Sequence, residues 1–197
     1  MGAVEEDLGN RTAWTAHLVV LPLPAHGHVN PMLHLAARLA ADEGLAVTFV
    51  NSEANGRIMN KIGAGSIRFI EIPDGLPLDA DRSGYMIDLA KSVMTKMAGH
   101  FHRLIGRLME ESDTEAAPRP TCILADTCLA PFSIETAVEF GLSHISFWTQ
   151  SAASFASLHE ITANDYRPLP EGESAIASCY IPQFPLECVL LLLGRDI

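Results

Sequence analysis

The sequence predicts an α/β domain: a parallel β-sheet flanked by helices. Two observations carry that prediction. Hydrophobic residues make up 48 % of the 197-residue chain and the mean hydropathy is +0.19, a bias that strands buried on both faces produce. Short apolar runs then alternate with stretches of helical periodicity from about Ala16 to His159, and that alternation belongs to parallel strands joined by right-handed crossovers.

The elements follow in order. "HLVVLPLP", starting at His17, is a β-branched and leucine-rich strand closed by prolines. Val29, Met32, Leu33, Ala36, Leu39 and Ala40 then recur at helical spacing, with Gly44 where a C-terminal cap belongs. "LAVTFVNS" is a second strand, Glu53 to Ile62 a short helix, and "SIRFIEIP" a third strand. "DGLPLDADRSG" is a turn-rich acidic loop. A long amphipathic helix follows, marked by Leu89, Val93, Met97, Phe101, Leu104, Ile105 and Leu108. "ESDTEAAPRP" is a polar linker expected to be exposed. "TCILAD" is a fourth strand, "APFSIETAVEFG" a helix with proline in its first turn and glycine past its end, and "SHISFW" a fifth strand. "TQSAASFASLHEITAND" closes the pattern as a helix. Residues 1–15 are expected to be a flexible leader and 16–166 the domain itself. Residues 167–197 are expected to form an irregular tail, because Pro168, Pro170 and "EGESA" interrupt regular structure. Its "VLLLL" run is expected to favour association.

The formal net charge of −11 argues against a nucleic-acid partner. The four cysteines, Cys122, Cys128, Cys179 and Cys188, show no C-x-x-C or zinc spacing and suit a reducing, cytoplasmic setting. The acidic first residues lack a secretory signal, and no run reaches the roughly 18–20 apolar residues of a membrane span. No stable membrane insertion is expected.

In parallel sheets, ligands collect where the carboxyl ends of the strands turn into helices. Here those ends are Pro24–His28, Asn51–Glu53, Pro73–Gly75, Asp126–Leu129 and Trp148–Ser151. His28 stands at the first turn of its helix, and a histidine steadied by a buried acid on the same rim can deprotonate a hydroxyl or a water. Asp126, ending the apolar strand "CILAD", is the candidate acid; the spacing equally allows it to cap the following helix. The pair is expected within hydrogen-bond reach, about 2.6–3.2 Å. His26 and His28 alone do not make a metal site, and His100 and His102 lie two apart in a helix, facing different ways. His17, His34, His144 and His159 read as satisfied or exposed. There is no G-x-G-x-x-G and no phosphate-binding loop of the Walker type, so no cofactor is expected.

At "LPLPAHGHVNPMLHLAARLA" the chain resembles the opening of the plant-type UDP-dependent glycosyltransferases of the GT-B fold. Their P-x-x-G-H-x-N-P turn is matched by Pro24, Gly27, His28, Asn30 and Pro31. "IRFIEIPDGLP", "ILADTCLAPFSIETAVEFGL" and "ISFWTQSAA" are similar to later family segments in the same order. The resemblance implies a Rossmann-like domain, the N-terminal, acceptor-binding half of a GT-B fold. It implies that His28 is the base, that Asp126 pairs with it and that Thr149 contacts the donor sugar. His26, Gly27, Asp74 and Gly75 would lie at the acceptor cleft. The implied substrates are a UDP-sugar and a small lipophilic acceptor with a hydroxyl or carboxyl group, joined with inversion. The family's H-C-G-W-N-S signature, which marks its UDP-sugar-binding domain, does not occur in the sequence, so that C-terminal domain is expected to be absent. Two rivals are a metal-dependent hydrolase using His26 and His28, and an acceptor-binding module without turnover.

Overall fold

The structure, a computed structural model, describes residues 15–42, 44–59, 67–80, 86–111 and 118–163. The expectations for the leader, for most of the "ESDTEAAPRP" linker and for the tail with its "VLLLL" run lie outside those residues. Five strands form one parallel sheet: β1 Ala16–Leu21, β2 Leu45–Ser52, β3 Ile67–Ile72, β4 Cys122–Asp126 and β5 Ser143–Phe147. Their spatial order is β3-β2-β1-β4-β5. The chain builds outward from β1 to β3, then returns to place β4 on the other side of β1. The switch point therefore lies between the carboxyl ends of β1 and β4, where helices leave in opposite directions and open a crevice. Leu21 of β1 is paired with Ala125 of β4, one residue before Asp126.

Burial explains the strand sequences. The central strands β1, β2 and β4 are buried along nearly their whole length, whereas the edge strands β3 and β5 expose Phe69 and Ile145. Alternate residues feed two cores. Leu18, Val20, Val47, Phe49 and Leu124 pack with Val29, Met32, Leu33 and Ala36 of α1 (His26–Leu39). Val19, Leu21, Ile123 and Ala125 face the other way, against the long helix.

That helix runs as α3 (Met86–Ser92), a π-helical turn at Val93–Met97, and α4 (Ala98–Glu110). All seven residues of its expected apolar stripe are buried. The π turn was not foreseen, and the spacing explains it. Leu89, Val93, Met97 and Phe101 recur every four residues, a step that drifts about 40° around a regular 3.6-residue helix. A wider turn takes up the drift and keeps Val93 and Met97 in the core.

The helix α2 spans Glu53–Met59, three residues short of the expected end, and the following residues are outside those described. After β4 the chain makes a 3-10 turn, Thr127–Leu129, before α5 (Ala130–Phe140). Gly141 closes α5 at φ 66°, and the Leu142 N–H reaches back to the Ala137 carbonyl at 2.8 Å, which is how a left-handed glycine satisfies a helix end. The last helix, α6, starts at Ala152 rather than at Thr149. Thr149, Gln150 and Ser151 thus belong to the rim turn. Among the described residues, no helix is long and apolar enough to cross a membrane.

Candidate active site

The site is assembled by three strand ends. The first is β1, which leads into the turn Leu23–Pro24–Ala25, where the Ala25 N–H bonds the Leu23 carbonyl at 2.7 Å. Ala25 is extended, at φ −121° and ψ 141°, and its carbonyl receives the N–H groups of both His28 and Val29 at 2.9 Å. This hooks the chain into α1 with His28 in the first turn, above the end of β1. The apolar Val29 and Met32 anchor the helix behind it.

β4 supplies Asp126, whose side chain is 1 % exposed. Its two oxygens do different work. Oδ1 accepts the Cys128 N–H at 2.9 Å, capping the 3-10 turn, and Oδ2 lies 2.7 Å from His28 Nδ1. Capping and pairing with histidine, which the spacing left as alternatives, are both present, one on each oxygen. A carboxylate only accepts, so the proton of this contact sits on Nδ1. Nε2 of His28 has no partner among the described residues, and its ring is 14 % exposed. The arrangement holds one ring nitrogen and leaves the other available, so that the ring in its neutral form can take a proton there.

The end of β5 supplies Thr149. Phe147 is registered opposite Asp126, so the chain two residues on lies beside the carboxylate. The Trp148 Nε1–H donates to the Ser151 carbonyl at 3.1 Å, and its ring meets Phe155 edge-on. These contacts hold the turn that brings Thr149 Oγ1 to 2.8 Å from His28 Nδ1 and 3.1 Å from Asp126 Oδ2.

Cys128 completes the surroundings. Burial, reinforced by the Asp126 charge, pushes its thiol up to about 12, so it stays protonated at neutral pH. Its sulfur and the ligand atoms of His28 and Asp126 all lie within 4.8 Å of one another. This N, O, S set is of a kind that zinc accepts. Here, though, hydrogen-bond donors occupy both Asp126 oxygens and the thiol is neutral, so a cation would have to displace these protons. His26 is exposed on the first turn of α1 and is not in that group.

The other expected cleft residues lie in different surroundings. Gly27 is exposed, and a Cβ added there would meet nothing within 4 Å. Asp74 is 3 % exposed, and its Oδ1 accepts the Leu76 N–H at 3.0 Å. Gly75 has φ +87°, and an added Cβ would come within 2.5 Å of Ser92 Oγ and 2.6 Å of Lys96 Cβ. Both shape the turn between β3 and the long helix, and Lys96 Nζ donates to the Gly75 carbonyl at 3.1 Å.

The remaining histidines are engaged or exposed. His17 is buried between Thr48 Oγ1 and the Pro118 carbonyl, and His144 Nε2 meets Ser133 Oγ at 2.9 Å. His100 pairs with Arg103 and His102 with Glu139. His34 and His159 are exposed.

Comparison with known proteins agrees with this architecture. Residues 15–63 match the family described as "Glycosyltransferase, N-terminal domain". UDP-glycosyltransferase 85A2 of Arabidopsis thaliana is 35 % identical over 156 residues, which is 75 % of this chain and 31 % of that protein. In sequence and in fold, the chain matches the N-terminal part of the plant UDP-glycosyltransferases. Linamarin synthase 1 of Manihot esculenta is 38 % identical over 154 residues, covering 74 % of this chain and 31 % of its own length. The crystal structure of Os79 from O. sativa in complex with trichothecene superposes with a TM-score of 0.62 at 25 % identity, over 78 % of this chain and 33 % of that one. The chain thus spans about a third of the length of these relatives.

Two contacts escaped the sequence reading: Cys128 beside the dyad, and Thr149 hydrogen-bonded to it. The available signal was rim adjacency, since all the residues involved follow strand ends. For Thr149 the deciding information was the pairing of β4 with β5, which is non-local.

Proposed function

We propose that this chain is the acceptor-binding half of a UDP-glycosyltransferase that moves a sugar from a UDP-sugar onto a small lipophilic acceptor. The His28–Asp126 contact at the switch point of the sheet carries this reading. An alcohol or phenol is a weak nucleophile at neutral pH, so its proton must leave as the new bond to the anomeric carbon forms. His28 Nε2 takes that proton; Asp126 holds the ring through Nδ1 and stabilises the imidazolium. UDP leaves from the opposite face of the sugar, and the anomeric configuration inverts. A carboxylic acid acceptor arrives already ionised and needs no base.

The open space beside Gly27 suits an acceptor approaching His28, and the exposed His26 would flank the same opening. Asp74 and Gly75, in the turn after β3 at the carboxyl rim of the sheet, would border the acceptor cleft, with the turn fixed by the Leu76 N–H on Asp74 and Lys96 on the Gly75 carbonyl. The UDP-sugar would be held chiefly by a separate donor domain, with Thr149 as a contact from this side. The setting is the cytoplasm, where free thiols such as Cys122 and Cys128 persist. The names of the relatives, a linamarin synthase and a 7-deoxyloganetin glucosyltransferase among them, support acceptors of small-molecule size.

The experiment is a transfer assay with UDP-glucose and a panel of phenols, using the chain alone and with a family donor domain supplied in trans. Transfer that needs both parts, and is lost with His28→Ala, supports the reading. Acceptor binding without transfer in either format would make the chain a binding module instead.

A further inference from the structure

Thr149 has one hydroxyl proton, and where it goes decides what this residue does. His28 Nδ1, Asp126 Oδ2 and Thr149 Oγ1 form a triangle with edges of 2.7, 2.8 and 3.1 Å. Two protons serve three edges: the ring N–H and the hydroxyl hydrogen. Were Nδ1 bare and accepting from Thr149, its lone pair would face a carboxylate oxygen at 2.7 Å, and the ring proton would sit on Nε2. The other distribution satisfies every atom: Nδ1–H donates to Oδ2, the hydroxyl donates to Oδ2, and Oγ1 offers a lone pair to the ring N–H from the side.

We propose that Thr149 is a positioning residue for the His28–Asp126 pair, anchoring Oδ2 and favouring the ring form whose Nε2 is bare. The proposal rests on the reading of His28 as the base. It adds to the contact with the donor sugar that the family resemblance implies. With its proton committed to Asp126, Thr149 can only accept from a third group. A sugar hydroxyl meeting it must therefore donate, and donor binding is felt directly by the dyad. The turn is built for such a role, because Trp148 is tied to Ser151 and packed on Phe155, which leaves Thr149 little freedom.

The test is made on the 197-residue chain by NMR of nitrogen-labelled histidine rings, with the His28 signals assigned from a His28→Gln variant. Thr149→Val keeps the shape and removes the hydroxyl; Thr149→Ser keeps the hydroxyl. In Thr149→Val, exchange of the His28 Nδ1 proton with water is expected to quicken at least about tenfold, the factor carried by one charge-assisted hydrogen bond. The fraction of the ring protonated on Nε2 in its neutral form should also rise. Thr149→Ser should stay close to wild type. Amide spectra report whether the fold is kept, and Thr149→Ala gives the same readout if valine perturbs the turn. A valine or alanine variant matching wild type in both exchange and tautomer overturns the proposal. No sugar is transferred in this measurement, so that result leaves the assignment of His28 as base standing. Conversely, a fully active His28→Ala enzyme would remove the base and leave the triangle intact.

Discussion

β1 has a histidine near each end, and the two are used in opposite ways. At its start, His17 is 1 % exposed with both ring nitrogens engaged, Nε2 on Thr48 Oγ1 at 2.8 Å and Nδ1 on the Pro118 carbonyl at 2.6 Å. Just past its end, His28 has one nitrogen engaged and a ring that reaches solvent. Burial holds His17 below the usual histidine range; it works as a neutral peg that ties β1 to β2 and to the approach of β4. A satisfied imidazole is structure, and a half-satisfied one at a strand's carboxyl end is available for chemistry. Residue type does not separate them; topology does, because the crevice of such a sheet opens outside the carboxyl ends of the strands, at the switch point.

The largest expected effects break this contrast at the dyad. In a complete enzyme carrying this domain, His28→Ala should lower turnover of hydroxyl acceptors by at least about 10²-fold, the lower end of general-base contributions. Asp126→Asn should fall short of total loss, since an amide oxygen still accepts from Nδ1. Both are read from steady-state kinetics. Urea unfolding should show a cost for His28→Ala of about 1 kcal/mol, because Thr149 still donates to Asp126.

His17→Ala should behave in the reverse manner. It leaves Thr48 and the Pro118 carbonyl without their partner in a buried place, at a cost of about 2–3 kcal/mol. Urea midpoints on the isolated chain measure this. Turnover in a complete enzyme should stay near wild type at temperatures where the variant is folded.

A smaller effect sharpens the contrast through pH. Burial lowers His144 from 6.5 to about 4, and His17 shifts in the same direction. The unfolded chain therefore takes up these protons before the folded one does. The His144 contribution is complete above about pH 6.5 and is lost as pH falls toward about 4. Thermal unfolding should show a shallower acid loss for His144→Phe than for wild type across that window. Equal slopes would mean that His144 is accessible to protons in the folded chain.

The smallest stability effect belongs to Gly27. An added Cβ meets nothing within 4 Å, so Gly27→Ala should leave the melting temperature unchanged or raise stability by up to about 1 kcal/mol. The same methyl group would stand in the opening beside His28 and should weaken acceptor binding. A drop in stability would show that the space is filled from within the domain.

Much of this was legible in the chain. The five strands appeared as apolar runs, and the seven-residue stripe of the long helix marked its buried face without error. His28 was visible because histidine is unusual filler for a tight strand-to-helix turn, and Asp126 because a carboxylate ends an apolar strand. Their meeting required the strand order, which places β4 beside β1 across a gap of about a hundred residues; local periodicity carries no such information. The π turn was hidden for another reason. Its residues have ordinary helical character, and the four-residue spacing shows only once the sheet face they must meet is known. Thr149 was assigned to a helix that in fact starts three residues later, because Ser and Ala in "TQSAA" suit a helix start as well as a turn.

If His28 takes the acceptor's proton, the penalty for removing it must depend on whether the acceptor has a proton to lose. A complete enzyme carrying this domain, as wild type and as His28→Ala, is assayed with a phenol and with a carboxylic acid of similar size. The phenol should lose at least about 10²-fold in kcat while the carboxylate, already ionised, should keep most of its rate. Equal losses for both acceptors would contradict the assignment of His28 as the base.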